Sequence, residues 1–558
     1  MQVYLGLISA LFLSMFLVPP LIYVSGPLGL VDRPDARKSH TGIIPRVGGL
    51  AIAAGTLVPV ALWLTPLSAE MAGFLVAAVI IVLFGLLDDR FDLDYRIKFL
   101  AQFAAIGVVV VSGVNFDHLP LFGLDTAPPA ITIPVTIVFL LAVTNAFNLL
   151  DGLDGLAAGC AVLSLAGVAA LAYSCGATEP MLLALLAIGG ILGFLRYNTH
   201  PAIVFMGDAG SQFLGFTIGV ATILVLQKAS ATISPAVAAF LIGLPLLDTV
   251  SVMVQRLREG RSPFSPDRNH VHHKLLSLGF LHQEAVIAIY VIQAVMIVLA
   301  FVMRAEADGV VITTYLVIAG ALVGAFAVLR WSSFRLHQIR DEIDPGAMRA
   351  FLTPQRRERL LRLSANYIEW SVAAYLIIAA FGVKPVSTDI GIGCLAFAFF
   401  IFAGAMLYPS VRPVMARVAV YTAAAIAAYM SIFEGGSDWL SGLQMGVFLS
   451  TTVLAIGAAI YLLSRQQFQL TSLDLLIFLL AISVLLAPLP AAEKVLAAAA
   501  AARFLIAVYA CEVLLSLQPA RVGILGVAAT MALVLLGVGA FQHQASFNIA
   551  ALIGEAMR

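Results

Sequence analysis

Apolar runs of about 20 residues, each long enough to cross roughly 30 Å of hydrocarbon as a helix, recur along the whole chain. Only 11% of the 558 residues are charged and 61% are hydrophobic, whereas soluble domains carry roughly 25% charged residues. These values exclude a soluble globular protein. They predict an all-α polytopic membrane protein whose first apolar run, which lacks the basic segment of a cleaved signal, is a retained helix.

The apolar runs predict about eleven transmembrane helices before residue 330 and about six or seven more in the rest of the chain. The first eleven are expected at residues 1–24, 47–66, 71–87, 99–114, 131–148, 157–174, 181–196, 209–226, 234–254, 286–303 and 310–329.

The distribution of basic residues indicates which loops are cytoplasmic. Eleven crossings divide the loops into two alternating sets. Through residue 370 one set, with its helix ends, holds twenty-one Lys and Arg residues, and the other holds only Lys228 and Arg304. Since basic loops stay in the cytoplasm, the first set is expected there and the N-terminus outside. Every polar motif described below falls in this basic set.

Three regions follow from this pattern. Residues 1–330 form a membrane-embedded domain that carries the polar motifs. Residues 331–370 are rich in arginine and predict a cytoplasmic, partly helical connector whose basic face could lie on anionic headgroups. Residues 371–558 contain scattered charges without a comparable polar cluster, so an additional transmembrane domain with a structural or partner-binding role is expected there.

Two acidic motifs lie at helix ends in the basic set. "GLLDDRFDLDYRIKFLAQ" places Asp88 and Asp89 where a helix reaches the cytoplasm, followed by Lys98. Adjacent carboxylates suit Mg²⁺, which prefers oxygen ligands and shares its shell with substrate phosphates; the alternative is an ordinary solvated loop. "NAFNLLDGLDGLAAG" spaces its amides and carboxylates by three residues, so successive members share a helix face; the alternative is a structural cap. Its polar residues are Asn145, Asn148, Asp151 and Asp154.

A third motif, "RYNTHPAIVFMGDAGSQFLGF", has Asn198 and His200 in a short loop and Asp208 at a predicted helix start. Asp208 is either a helix N-cap or a metal ligand beside a helix N-terminus that favours phosphate. Further on, Asp248 lies about two turns inside a predicted helix, where a carboxylate indicates either a functional site or a buried hydrogen bond.

The densest polar insertion is "RSPFSPDRNHVHHKLLSLGF", which separates two apolar runs. The absence of cysteine from this insertion and the neighbouring bases disfavour zinc, whereas imidazoles among guanidiniums suit phosphate oxygens. A solvated basic loop is the alternative. With the acidic motifs, the insertion favours Mg²⁺-assisted chemistry on a diphosphate at one membrane face. The basic group consists of Arg256, Arg258, Arg261, Arg268 and Lys274 around His270, His272 and His273.

Five segments in this order resemble the motifs of the polyprenyl-phosphate N-acetylhexosamine-1-phosphate transferases. They are "VDRPDARKSHTGIIPRVGGLAI", "GLLDDRFDLDYRIK", "NAFNLLDGLDGLAAG", "VFMGDAGSQFLG" and "SPFSPDRNHVHHKLLSLG". The resemblance covers roughly residues 1–330 and identifies this region as a transferase domain. It implies transfer of a sugar 1-phosphate from a UDP-N-acetylhexosamine to undecaprenyl phosphate, with release of UMP, at the cytoplasmic face of the bacterial inner membrane.

The resemblance also implies residue roles. Asp208 is the first candidate ligand of Mg²⁺, with Mn²⁺ as the alternative ion, and Asp88 and Asp89 are further candidate ligands. Both are expected beside the attacking lipid phosphate, which Lys98 helps to hold. The positions that match the nucleotide site are Asn148, Asp151, Asp154, Asn198 and Phe205. The diphosphate and sugar are expected against Arg256, Arg258, Arg268, His270, His272 and His273.

Several alternatives stay open at this point. "SPDRNHVHH" resembles the N-acetylglucosamine branch, because Val271 interrupts the three consecutive histidines typical of the peptidoglycan branch. UDP-GalNAc, a UDP-deoxyaminosugar and UDP-MurNAc-pentapeptide are the alternative donors. Attack by the lipid phosphate itself is favoured over a phospho-aspartyl intermediate. A lipid-linked sugar flippase is the alternative of another class. Residues 371–558 are expected to bind a pathway partner or form a homodimer, and no nucleic-acid partner is expected.

Overall fold

A computed structural model describes most of residues 1–331 and the helices of the remaining chain. Arg268 and most of the predicted connector lie outside the described residues. These are 2–32, 42–117, 119, 127–229, 232–262, 269–331, 354–382, 388–407, 412–433, 443–462, 476–479, 491–517 and 522–556.

The described residues are overwhelmingly helical, and the prediction of an all-α polytopic membrane protein is confirmed. Ten described helices are long and apolar enough to cross a membrane, and a bent pair makes an eleventh. The described strands, β1 (Val31–Asp32) and β2 (Ile44–Pro45), pair antiparallel in one short hairpin. The chain is therefore a multi-pass membrane protein.

The described chain forms two compact units. The first unit comprises Gln2–Glu342 and Thr471–Leu476, and the second comprises Ile343–Leu470 and Ile477–Arg558. The helices of the first unit are α1 (Gln2–Leu28), α2 (Gly48–Trp63), α3 (Ala69–Phe91), α4 (Tyr95–Val111), α5 (Pro129–Leu150), α6 (Leu156–Ser174), α7 (Thr178–Asn198), α8 (Gly207–Ala229), α9 (Ala238–Leu241), α10 (Gly243–Arg258), α11 (Val271–Ser277), α12 (His282–Val302) and α13 (Asp308–Trp331).

Helix α8 lies at the centre of the first unit. Its membrane-spanning window is entirely buried, and α2, α3, α5, α6 and α7 pack against it. A helix that is apolar all round requires such protein surroundings or lipid on every side. The N-terminal end of α8 is consequently surrounded by the ends of neighbouring helices and by the loops that join them.

The predicted single helix at residues 234–254 is wrong in shape. The first part, a short 3₁₀ turn followed by α9, ends at Leu241. The axis of α10, which begins at Gly243, makes an angle of 82° with it. Pro245 has no N–H to donate to the carbonyl four residues earlier, and Gln293 of α12 donates to that Leu241 carbonyl at 3.1 Å instead. Gln293 also accepts the Leu244 N–H at 3.0 Å. A broken helix at membrane depth is tolerated because neighbouring side chains satisfy the freed backbone groups in this way.

Two further boundaries differ from the predictions. The loop predicted at residues 255–285 contains α11, a helix of seven residues. The predicted connector does not end at Trp370, because an uninterrupted helix begins at Pro354 and runs to Gly382. Its basic first turns thus belong to the same helix as an apolar span.

The second unit contains six described helices of 20 residues or more. Arg417 and Tyr421 both donate to the Glu512 carboxylate, each at 2.7 Å, so polar side chains join two of these helices. The functional role assigned to residues 371–558 stays a prediction. The helices are α14 (Pro354–Gly382), α15 (Thr388–Leu407), α16 (Arg412–Phe433), α17 (Leu443–Leu462), α18 (Ala491–Leu517) and α19 (Val522–Ala556).

Candidate active site

Asp208 occupies the first turn of the central helix α8. Gly207 before it has a φ of 68°, and a Cβ at that position would lie 2.4 Å from an Oδ atom of Asp89. A residue with a side chain would therefore be both strained and in collision. Glycine allows the loop to turn tightly and brings the Asp208 carboxylate to the helix N-terminus, where the helix dipole favours negative charge.

Asp89 holds this helix end in place. One of its carboxylate oxygens accepts the Asp208 N–H at 2.9 Å, and the other accepts the Ala209 N–H at 3.1 Å. The carboxylate thus caps α8 from the end of α3, 119 residues earlier. The predicted role of Asp89 as a metal ligand stays a prediction, but its position supports a different one, which is to orient Asp208.

Asp88 faces a different neighbour. Its carboxylate lies 2.5 Å from the Lys98 ammonium, which is also 3.4 Å from an oxygen of Asp208. The side chain of Asp88 is 2% exposed, whereas that of Asp208 is 34% exposed. Of these two carboxylates, Asp208 is the one that a ligand from solution can reach.

Asn148 fixes the other oxygen of Asp208. Its amide donates to Asp208 at 2.8 Å and to the Ser211 hydroxyl at 2.9 Å. One turn earlier, Asn145 donates at 2.8 Å to the buried amide of Gln102. Asn145 therefore serves the packing between helices, whereas Asn148 belongs to the site around Asp208.

Asp151 lies in the loop after α5, among other carboxylates. Burial and, to a smaller extent, the charges of Asp208, Asp89 and Asp154 raise its pKa to about 8, while Arg46 opposes this rise. The charges of Asp208, Asp89 and Asp154 act on Asp151, so several carboxylates lie near it. Clustered carboxylate oxygens are the ligands that a hard dication such as Mg²⁺ prefers, so the donor set fits this ion.

Asn198 and Phe205 belong to the loop between α7 and α8. The Asn198 amide accepts the Gly155 N–H and donates to the Val204 carbonyl, both at 2.9 Å, and is almost fully buried. The Phe205 N–H donates to the carbonyl of Pro45 in β2, its carbonyl accepts the N–H of Gly48 at the start of α2, and its side chain is partly exposed. The amide of Asn198 therefore joins two site loops, and its predicted contact with nucleotide stays a prediction.

Asp154 lies beside two histidines. One of its oxygens is 2.6 Å from Nδ1 of His200, accepts the Ala202 N–H at 3.1 Å, and lies 3.9 Å from Nε2 of His282. Burial alone would raise the pKa of Asp154, but the hydrogen bonds from His200 and Ala202 hold it below the usual value. Asp154 therefore stays ionised.

The histidine motif packs onto these loops. Asp248 accepts from Nδ1 of His270 and from the Val271 N–H, each at 2.8 Å. The His272 ring is buried against Gly152, where an added Cβ would lie 2.3 Å from its Nε2. Burial lowers the pKa of His272 to about 3. The neutral imidazole, which has one N–H to donate, is therefore favoured, and its predicted contact with the diphosphate and sugar stays a prediction.

The structure brings most of the predicted site residues around one end of the first unit. Arg256 is buried near the end of α10, and Arg258 is exposed two residues later. Arg46 and His282 were not predicted as parts of the site, whereas a buried hydrogen bond was one of the two predictions for Asp248. The sequence could have indicated Arg46 as a site residue, because it lies in the first segment that resembles the family. It offered no such indication for His282, which is a lone histidine at the start of an apolar run.

Comparisons with known proteins match the same region. The family model described as glycosyl transferase family 4 matches residues 71–226. A probable undecaprenyl-phosphate N-acetylglucosaminyl 1-phosphate transferase of Bacillus subtilis is 34% identical over 305 residues, which cover 54% of this chain and 85% of that protein. An undecaprenyl-phosphate α-N-acetylglucosaminyl 1-phosphate transferase of Escherichia coli K12 is 35% identical over 279 residues, 48% and 74% of the two chains. A protein with the same description from Yersinia pestis is 34% identical over 272 residues, 47% and 73%.

Proposed function

The chain belongs to the polyprenyl-phosphate N-acetylhexosamine-1-phosphate transferase family, and we propose that it transfers N-acetylglucosamine 1-phosphate from UDP-N-acetylglucosamine to undecaprenyl phosphate. The observation that carries this proposal is the placement of Asp208 at the N-terminus of α8. There the Lys98 ammonium lies 3.4 Å from the Asp208 carboxylate, and the charge of Asp208 also acts on Asp151 in the loop after α5. A helix N-terminus with an ammonium and several carboxylates suits phosphates accompanied by a dication.

Asp208 is the residue proposed to hold Mg²⁺, because it is the accessible carboxylate, and Asp151 is the second candidate. When bound, the ion would neutralise charge on the donor diphosphate. Asp89 would act on Asp208 through the backbone N–H groups of α8 and is therefore proposed as a positioning residue.

Lys98 is proposed to receive the lipid phosphate. Its ammonium is partly exposed and lies between Asp88 and Asp208, so an incoming phosphate oxygen can replace one carboxylate partner. A phosphate monoester has its second pKa near 6 and is largely dianionic at neutral pH. Its oxygen would form the bond to the β-phosphorus, and the bond from that phosphorus to the bridging oxygen would break, releasing UMP. No general base is required.

Asp88 is a poor nucleophile for the alternative two-step route. Its carboxylate accepts the Leu93 N–H at 2.9 Å and pairs with Lys98, and its side chain is almost fully buried. A nucleophilic carboxylate has to meet the β-phosphorus directly. These contacts support direct transfer between the two substrates.

Helix α10 suits an acceptor that stays in the bilayer. Val250, Val254 and Leu257 are exposed on it, while Asp248 and Arg256 are buried. An amphipathic helix of this kind lies with its apolar side toward the acyl chains. This apolar side is proposed to meet the polyprenyl chain in the bilayer.

The proposal is tested with purified protein, radiolabelled UDP-N-acetylglucosamine, undecaprenyl phosphate and Mg²⁺. Labelled lipid and UMP in equal amounts are expected. Parallel reactions with UDP-GalNAc, a UDP-deoxyaminosugar and UDP-MurNAc-pentapeptide identify the donor. Movement of preformed lipid-linked sugar across vesicles without formation of new product would contradict the proposal and favour a flippase.

A reciprocal pair of variants tests the two substrate sites. His272→Ala should raise the KM for UDP-sugar more than that for the lipid, because His272 packs on the nucleotide-site loop. Lys98→Ala should do the reverse. Equal effects of both variants on both substrates would contradict this division. We further propose that the reaction is the first step of a cell-surface polysaccharide pathway, at the cytoplasmic face of a bacterial inner membrane.

A further inference from the structure

Asp154, His200 and His282 form a compact cluster beside the proposed nucleotide site. Asp154 comes from the loop after α5, His200 from the loop after α7, and His282 is the first residue of α12. One ligand atom from each residue lies within 4.8 Å of the other two. Two imidazoles and a carboxylate on three different segments make a set that metal sites use.

The distances require only small shifts to fit a metal ion. Zn²⁺ binds nitrogen and oxygen at about 2.0–2.2 Å, which separates tetrahedral ligands by roughly 3.4 Å. The Asp154 oxygen now lies 2.6 Å from His200 Nδ1 and 3.9 Å from His282 Nε2. The two rings stack with centroids 4.2 Å apart, so one imidazole would turn about its side-chain bonds to direct its nitrogen at the ion.

A second observation comes from His282. Its Nε2 is buried and has no hydrogen-bond partner in the described part of the protein, although it points toward the Asp154 carboxylate. A buried polar atom without a partner is destabilising, so a ligand that Nε2 can bind would stabilise the arrangement. A cation would meet this nitrogen and the ionised carboxylate together.

We propose that Asp154, His200 and His282 bind a borderline dication such as Zn²⁺, through a ligand set that does not include Asp208, the residue proposed to hold Mg²⁺. Imidazole ligands select Zn²⁺ and similar ions, whereas Mg²⁺ prefers carboxylate and water. Among the described residues, Asp154, His200 and His282 are the group of three such side chains whose ligand atoms all lie within 4.8 Å of one another.

Occupation of the site has a consequence for the reaction. Asp154 is expected to line the nucleotide site, so an ion bound to it would remove its free oxygen from a donor substrate. Zn²⁺ should therefore inhibit in competition with UDP-sugar. This consequence rests on the proposed function, whereas binding of the ion does not.

The experiment titrates the full-length protein, carrying no histidine tag, with Co²⁺ as a spectroscopic probe and then with Zn²⁺ as competitor. One Co²⁺ per chain with d–d absorption of a nitrogen- and oxygen-ligated ion is expected, displaced by Zn²⁺ and not by Mg²⁺. His282→Gln should weaken binding at least tenfold, because loss of outer-shell partners alone costs about 10–100-fold. His270→Gln is the matched control and should bind as the wild type does.

Each variant is also heated with and without Zn²⁺, which tests whether it is folded. A zinc-dependent rise of the unfolding midpoint is expected in the wild type and in His270→Gln, and its loss in His282→Gln. Absence of stoichiometric binding to the wild type, or binding lost in His270→Gln and kept in His282→Gln, would overturn the proposal. Zinc binding by a protein that transfers no sugar phosphate would leave this site intact and refute the proposed function alone.

Discussion

Replacement of Gln293 by leucine tests how the bend between α9 and α10 is held. Gln293 is wholly buried in α12 and makes three hydrogen bonds, two of them to backbone groups at the bend. It donates to the Leu241 carbonyl and the Ser164 hydroxyl, each at 3.1 Å, and accepts the Leu244 N–H at 3.0 Å. Leucine has a similar size and no polar atoms, so Gln293→Leu leaves one backbone carbonyl and one backbone N–H without these partners.

The expected cost follows from these lost contacts. A buried polar group left without a partner costs about 1–3 kcal/mol, so two groups cost roughly 2–6 kcal/mol. Hydrogen bonds measured in membrane helix bundles average about 0.6 kcal/mol, and three of them give about 2 kcal/mol. Both routes predict that Gln293→Leu lowers the free energy of unfolding by at least about 2 kcal/mol.

The measurement is denaturant titration of the solubilised protein, with Gln227→Leu as the matched control. Gln227 also donates to a backbone carbonyl, that of Gly113 at 2.9 Å, but its bond is exposed. Water can replace an exposed donor, so the control should change stability by less than about 0.5 kcal/mol. Equal stability of Gln293→Leu and wild type, or equal losses in both variants, would refute the reasoning.

Four other predictions concern the site and the topology. Asp208→Asn should reduce Mg²⁺-dependent turnover at least about a hundredfold in a folded protein, since metal contacts contribute several kcal/mol; near-normal turnover would leave Asp208 as a helix cap. With a chelator present, the temperature at the midpoint of unfolding should decrease as the pH is raised from 5 to 8. The reason is that Asp151 in the folded protein, with a pKa of about 8, keeps a proton that the unfolded chain loses near pH 3.8. Addition of Mg²⁺ should make this decrease smaller. A cysteine at position 267 should react with impermeant reagents only from the cytoplasm, and one at 118 from outside; labelling of 267 in intact cells would contradict the topology. A chain ending near Ala350 should still transfer sugar phosphate; a folded, UDP-sugar-binding truncation that forms no product would assign the second unit a part in catalysis.

Hydropathy predicted the helices because a span needs only length and apolar composition. The bend after Leu241 was not predicted, since the run through Pro245 is as apolar as its neighbours. A proline can kink a helix, end it or be tolerated, and the outcome depends on partners elsewhere. Here the partner is Gln293, about fifty residues later in the chain, and nothing in the local sequence identifies it.

Motif spacing predicted which residue types would gather at one end of the protein, but not which atoms each would contact. Asn198 and Asp248 show the difference, because both are polar residues in chemically suggestive motifs. In the structure their side chains hold backbone groups of neighbouring loops. The contacts join segments distant in sequence, so propensity and spacing carry no signal for them.

The adjacent carboxylates Asp88 and Asp89 illustrate why a motif is not one functional unit. Successive helix residues point about 100° apart, so two neighbours at the end of α3 face different elements. Asp88 turns to Lys98, and Asp89 turns to the first N–H groups of α8. Because α8 is the buried centre of the unit, Asp89, which caps it, fixes the position of Asp208. Asp88, which pairs with Lys98, sets the charge around that ammonium. Asp89 therefore supports the helix end that carries Asp208, whereas Asp88 acts on the charge at the site. Loss of either residue should impair the protein, but for a different physical reason.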